Sequence, residues 1–123
     1  TIDYIRSLGA RPGIAVDPSL PLASLTEILP TVDFVCLMTV NPGYSGQTLV
    51  PGAIRKIAEF SAWRETTGHE FEIEVDGNVS WENIPKMVDV GADTLVVGTS
   101  SLFGDPNNRE ADLEQLLRLA ERR

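Results

Sequence analysis

Four short apolar runs alternate with segments of helical periodicity along this 123-residue chain. The runs at 13–16, 32–40, 71–75 and 94–97 predict buried strands. A helix is predicted at 1–8, and helical spacing follows each strand, at Leu22, Leu25, Ile28 and Leu29, at Ile54, Ile57, Ala58 and Ser61, at Ile84, Met87, Val88 and Val90, and at Leu113, Leu116, Leu117 and Ala120. Such alternation requires parallel strands with right-handed crossovers, so the sheet is either open and doubly wound or closed into a barrel.

The third predicted strand favours the barrel. Its residues alternate between an apolar face (Phe71, Ile73, Val75) and an acidic face (Glu72, Glu74, Asp76). Helices covering both sides of an open sheet would leave those carboxylates in an apolar layer, at several kcal/mol each unless paired. A barrel interior offers partners from neighbouring strands and brings Asp76 to the carboxyl rim, where barrel active sites lie. The alternative is an edge strand with its glutamates in water.

Composition excludes several classes of partner. The formal charge of -8 argues against broad contact with nucleic acid or an anionic membrane, so an anionic ligand must be held locally. The one cysteine, Cys36, lies in an apolar run, which excludes an intrachain disulfide and is typical of a buried residue in a reducing compartment. No apolar run approaches the roughly 20 residues of a membrane span. We therefore expect a soluble, cytoplasmic protein.

The loops after the last three strands are rich in small residues: 41–47, 76–78 and 98–101. Glycine lets backbone N–H groups approach a ligand closely, and two such loops after the last strands are typical of a phosphate site. Any one of them could equally be a tight turn. Asp76 could cap the next helix, bind a metal or act as a general acid/base. His69, the single histidine, is expected to face solvent at the opposite end of the strands.

Three ordered motifs give the chain a family resemblance. Residues 38–44 (MTVNPGY), 74–77 (EVDG) and 98–103 (GTSSLF) resemble the sixth, seventh and eighth units of the ribulose-phosphate 3-epimerase family, a family of (β/α)8 barrels. Within the family, residues 1–6, 62–65 and 70–74 more closely resemble the allulose-6-phosphate 3-epimerase branch. Two positions differ from the family pattern: Asn78 replaces the second glycine of Asp-Gly-Gly, and Asp17 replaces an asparagine. Asparagine tolerates a left-handed backbone, so the first change is compatible with the loop.

The resemblance implies a metal-assisted proton transfer at C3 of a sugar phosphate. A divalent ion, zinc with iron, manganese or cobalt as alternatives, polarises the C2 carbonyl, and two aspartates on opposite faces of the sugar exchange the proton. Asp76 matches one of those aspartates, which is also a metal ligand. The substrate- and phosphate-binding positions implied are Met38, Gly43, Ser45, Gly46, Gly77, Asn78, Gly98, Thr99 and Ser100.

The resemblance also implies that these residues are the C-terminal half of the barrel. The first four strands of the family, with two metal-binding histidines and the partner aspartate, have no counterpart in residues 1–123. We therefore expect a single partial domain, inactive alone, that forms homo-oligomers through its exposed sheet. One alternative is a non-catalytic phosphate-binding half-barrel or assembly fragment. Another is a different phosphate-binding isomerase barrel, which would need another acid/base at position 76.

Overall fold

A computed structural model describes residues 1–41, 43 and 46–121. One parallel four-stranded sheet alternates with helices, in the predicted order. The elements are α1 (Ile2–Ser7), β1 (Gly13–Val16), two 3₁₀ turns (Leu22–Ser24 and Leu29–Thr31), β2 (Phe34–Met38), α2 (Ala53–Thr67), β3 (Glu72–Asp76), α3 (Ile84–Asp89), β4 (Thr94–Val96) and α4 (Arg109–Ala120). No helix among these residues is both long enough and apolar enough to cross a bilayer.

Each strand pairs with its neighbours in sequence, so the order across the sheet is β1-β2-β3-β4. Gly13 pairs with Phe34, Phe34 with Glu72 and Glu74 with Thr94, all in parallel. A doubly wound sheet would reverse its strand order at a switch point, and no reversal occurs among the described strands. The arrangement is half of a (β/α)8 barrel. Because β3 lies between β2 and β4, the edge-strand alternative is wrong.

The two faces of the sheet differ as the alternation in β3 predicts. Ile73 and Val75 are fully buried against the helices, where they join a core that includes Ile57, Phe60 and Met87. The opposite face carries the acidic residues of β3 together with Cys36 and Met38 of β2, which are two of their partners in register. The apolar face therefore packs against the helices and stabilises the fold, whereas the acidic face ends with Asp76 at the carboxyl end of β3.

The prediction of a helix with α-helical spacing after β1 is wrong. Residues 22–31 form 3₁₀ turns, in which Leu25 N–H donates to the Leu22 carbonyl at 2.8 Å and Ile28 N–H to the Leu25 carbonyl at 3.0 Å. A 3₁₀ helix has three residues per turn, so it aligns residues 22, 25 and 28 as an α-helix nearly does. Pro30 has no N–H to extend an α-helical ladder through this segment.

The buried side of α4 also differs from the prediction. Leu116 and Leu119 pack against the core, whereas Leu113 and Leu117 are 46% and 56% exposed. The predicted buried side of α4 therefore included residues that face solvent. Several leucines on one short helix are compatible with more than one buried face, and their spacing alone does not identify it.

Candidate functional site

A cleft of about 320 Å³ opens at the carboxyl ends of β2, β3 and β4. Its lining includes nine of the predicted positions: Met38, Gly43, Gly46, Asp76, Gly77, Asn78, Gly98, Thr99 and Ser100. Ser45, the tenth, lies outside the described residues. The carboxyl ends of parallel strands meet at one edge, which brings residues 60 positions apart in the sequence to one cavity.

Asp76 is the last residue of β3 and lies between Met38 of β2 and Val96 of β4. It does not cap a helix, since α3 begins at Ile84 with Asn83 at its N-cap, and the capping alternative is wrong. Within the described part of the chain, no hydrogen bond or ion pair engages the Asp76 carboxylate. A partly exposed carboxylate without an internal partner is available to a ligand in the cleft.

The turn after β3 has a backbone that only particular residues adopt. Gly77 has a φ of +131°, and a Cβ placed on it would lie 2.7 Å from Val40 Cγ2 and 2.8 Å from Val40 N. Asn78 has a φ of +46°, the one positive value at a non-glycine residue among those described, and it is the conformation that asparagine tolerates best. The backbone at Gly77 thus lies close to Val40, just after β2, while Gly77 and Asn78 both line the cleft.

The turn after β4 is stabilised by hydrogen bonds between its own backbone groups. The Gly98 carbonyl accepts hydrogen bonds from Ser101 N–H at 3.2 Å and from Phe103 N–H at 3.0 Å. The N–H groups of Thr99 and Ser100, by contrast, donate to no acceptor in the described residues. Both residues line the cleft, so this turn offers unused donors there.

The third wall of the cleft is the loop after β2. Val50 N–H donates to the Thr39 carbonyl at 2.9 Å and closes the base of the loop. Within it, Gln47 Nε2 donates to the Asn41 carbonyl at 2.6 Å. Asn41 and Gln47, the ends of the loop 41–47 that the sequence pointed to, line the cleft as well. Val40, Val79, Val96 and Val97 also line it and were not predicted as site residues. These four valines could be assigned to the cleft only by knowing which strands are adjacent.

Comparison with known proteins decides the family. Residues 1–103 match the family model of the ribulose-phosphate 3 epimerase family. The chain belongs to this family. Its curated relatives include ribulose-phosphate 3-epimerases of Treponema pallidum, 40% identical over 84% of this chain and 47% of the relative, and of Methanocaldococcus jannaschii, 39% identical over 94% of this chain and 52% of the relative. A chloroplastic ribulose-5-phosphate-3-epimerase of Arabidopsis thaliana is 38% identical over 90% of this chain and 39% of its own length.

This member of the ribulose-phosphate 3 epimerase family spans about half the length of the curated relatives it matches. Its described residues contain no group of three or more His, Cys, Asp or Glu side chains that could hold a metal ion. A structural or catalytic zinc ion takes at least three protein ligands. Asp76 could therefore supply one ligand to a metal at the cleft, and the described residues do not form a complete metal site by themselves.

Two other titratable residues of this chain, Cys36 and His69, were not expected to take part in the chemistry of the site. Cys36 is buried below the cleft floor, where burial, reinforced by Glu74 and Asp76, raises the pKa of its thiol from 9.0 to about 12. The thiol is therefore a poor nucleophile. His69 lies at the opposite end of the strands, as predicted, but it is partly buried against Trp63, with ring centroids 5.3 Å apart, and is not simply solvent-facing.

Ser101 follows the cleft-lining residues Thr99 and Ser100 and is buried behind them rather than lining the cleft. Its side chain is 2% exposed, and its Oγ is the one buried side-chain polar atom without a hydrogen-bond partner among the described residues. A buried hydroxyl left unpaired is unfavourable. The sequence shows two successive serines at positions 100 and 101, and it does not indicate which of the two hydroxyl groups is buried.

Proposed function

We propose that this chain is the part of a ketose-phosphate 3-epimerase that supplies one acid/base carboxylate and the phosphate-binding turns. The observation that carries the proposal is the unpartnered Asp76 carboxylate in a cleft whose other walls are turns with unused backbone N–H groups. A general acid/base must reach its substrate, and an anion needs donors near it. Membership of the epimerase family supports the same chemistry.

Asp76 would exchange the C3 proton on one face of the ketose, as the base in one direction of the reaction and as the acid in the other, while a carboxylate from outside the described residues would do the converse on the opposite face. The position of Asp76 at the end of a strand held on both sides fixes its backbone, and no competing internal hydrogen bond has to break before it meets the substrate. Met38, its neighbour on β2, gives the sugar an apolar contact surface. A positioned carboxylate of this kind contributes about 10²–10⁴-fold to a proton-transfer rate.

The phosphate would be held by backbone rather than by charged side chains. No lysine, arginine or histidine lines the cleft among the described residues. The donors present are the N–H groups of Asn78, Thr99 and Ser100, which face no protein acceptor in the described chain. Converging N–H groups in turns bind anions, which explains how an acidic chain could take an anionic substrate.

A divalent metal, when bound, would stabilise negative charge on the substrate oxygen at C2. Asp76 would be its ligand from this chain, and the remaining ligands would come from residues outside the described ones. We propose on the same grounds that residues 1–121 complete their barrel with strands that this sequence does not contain. The chain alone would then bind substrate without turning it over.

The decisive experiment uses a protein that carries this sequence within a complete barrel. With ribulose 5-phosphate and allulose 6-phosphate as separate substrates in D₂O, NMR follows deuterium incorporation at C3. Asp76→Asn should lower the exchange rate by about 10³-fold on the better substrate, in the range for a lost acid/base. Glu72→Gln, on the same face four residues away and 50% exposed, is the matched control. Near-normal exchange by Asp76→Asn would exclude Asp76 as the acid/base.

A second candidate function is a non-catalytic phosphate-binding half-barrel. It is favoured by one observation, the lack of any three-ligand cluster among the described residues, set beside intact turns at the cleft. Titrating ribulose 5-phosphate into the 123-residue chain and measuring heat and epimer together separates the two functions. Binding without turnover by both the chain and the complete barrel supports the second candidate, whereas turnover by the complete barrel excludes it.

A further inference from the structure

Thr39 is a polar residue buried where β2 ends, and it contacts the turn that carries Asp76. Its side chain is 2% exposed, and its Oγ1 donates a hydrogen bond of 2.5 Å to the Gly77 carbonyl. Its backbone N–H donates to the Asp76 carbonyl at 2.9 Å. The residue directly after β2 therefore holds two successive carbonyl groups, those of Asp76 and Gly77.

The hydroxyl controls more than the carbonyl that it binds. The Gly77 C=O and the Asn78 N–H belong to one planar peptide group, and this peptide bond is trans. In a trans peptide the C=O and the N–H point in opposite directions. Because Thr39 holds the carbonyl on the buried side, the Asn78 N–H points away from Thr39.

That N–H has no acceptor in the described chain, and Asn78 lines the cleft. The turn does not fix the direction of this peptide by sterics alone, because Gly77 precedes it, and glycine has access to a wide range of backbone angles. A hydrogen bond from a buried, β-branched side chain removes that freedom, since threonine itself has few rotamers.

We propose that the Thr39 hydroxyl is a positioning residue that aims the Asn78 N–H at an anion in the cleft. The role deepens the phosphate-binding part of the proposed function and rests on it. Thr39 touches no ligand in this arrangement. It acts by orienting one backbone donor beside Asp76, while its own carbonyl accepts the hydrogen bond that closes the base of the loop after β2.

The matched variants are Thr39→Val, which keeps the shape and removes the hydroxyl, and Thr39→Ser, which keeps the hydroxyl. Inorganic phosphate is titrated into the ¹⁵N-labelled 123-residue chain, and the amide signals of Asn78, Thr99 and Ser100 are followed. We expect Thr39→Val to weaken phosphate binding by about tenfold, as the loss of one hydrogen bond to an anion does, and Thr39→Ser to stay within about twofold. Equal affinity and an equal Asn78 shift in Thr39→Val would overturn the proposal.

A second measurement needs no ligand. The three-bond coupling between the amide and α protons of Asn78 reports its φ, +46° here, and it should change in Thr39→Val and stay constant in Thr39→Ser. If the original chain shows no phosphate response, the phosphate site of the proposed function fails, and an unchanged coupling would overturn the role of Thr39 independently. Should Thr39→Val not fold, as judged by amide dispersion, Thr39→Ala removes the same hydroxyl without the added methyl group.

Discussion

The guanidinium of Arg64 lies 2.6 Å from the carboxylate of Asp93, joining α2 to the segment that leads into β4. Arg64 also donates to the Phe71 carbonyl at 2.8 Å, and Asp93 accepts from the Ile73 N–H at 2.9 Å. These contacts tie a helix to the starts of two strands, at the end of the sheet opposite the cleft. We therefore expect these contacts to serve stability, at the end of the sheet opposite the proposed site.

We expect Asp93→Asn to lower the free energy of unfolding by about 1–3 kcal/mol, because the two side chains are only 17% and 23% exposed and Arg64 would lose its charged partner. Urea unfolding of the 123-residue chain measures the loss. Lys86→Ala, which removes the exposed pair with Glu82, is the control and should change stability by less than about 0.5 kcal/mol. Equal effects of the two variants would contradict the role of the Arg64–Asp93 pair.

Gly77→Ala should destabilise the chain by about 2–4 kcal/mol. The added methyl would meet the backbone and side chain of Val40 at under 3 Å, and the φ of +131° is unfavourable for alanine. Gly98→Ala is the stability control, since Gly98 also lines the cleft, has nothing within 4 Å of an added Cβ, and has no positive φ. Thermal unfolding of both variants tests the difference, and a neutral Gly77→Ala would show that the turn relaxes easily.

The buried thiol makes stability depend on alkaline pH. The pKa of Cys36 rises from 9.0 to about 12, mainly through burial, so the unfolded chain loses this proton first. The stabilising contribution is complete below pH 9 and is lost as the pH rises towards 12. The free energy of unfolding should therefore fall more steeply between pH 9 and 12 in the original chain than in Cys36→Ala. Parallel pH profiles, or rapid reaction of the folded thiol with a disulfide reagent at pH 8, would contradict this.

Lys56 should hold the loop after β1. Its Nζ donates to the carbonyls of Asp17, Pro18 and Leu20 at 3.1, 2.8 and 2.5 Å, and burial lowers its pKa. Lys56→Met leaves three carbonyls without this donor, so we expect a loss of about 1–3 kcal/mol and faster hydrogen exchange at the Leu20 amide. Arg55→Met, at an exposed neighbouring position, is the control. Unchanged hydrogen exchange at Leu20 would show that the loop after β1 keeps its structure without the Lys56 hydrogen bonds.

The strands, and the meeting of the loops that follow them at one edge of the sheet, could be predicted from local patterns, whereas the individual binding positions came from the family resemblance. Two-residue alternation in β3 separates Val75 from Asp76, and parallel strands bring their carboxyl ends together without any knowledge of packing. The Thr39 and Lys56 contacts could not be predicted in this way. Thr39 lies inside the apolar run 32–40, and Lys56 is one of several polar residues on α2. Their acceptors lie 38 and 36–39 residues away in the chain.

The strand order has a consequence for biosynthesis. Among the described strands, β2, β3 and β4 each lie beside the strand made just before them, from Gly13 beside Phe34 to Glu74 beside Thr94. During translation each new strand therefore finds its template already emerged from the ribosome, and loop closure adds only a slowly growing entropic penalty at each step. Assembly can proceed by extension at a single growing edge, in the direction of synthesis.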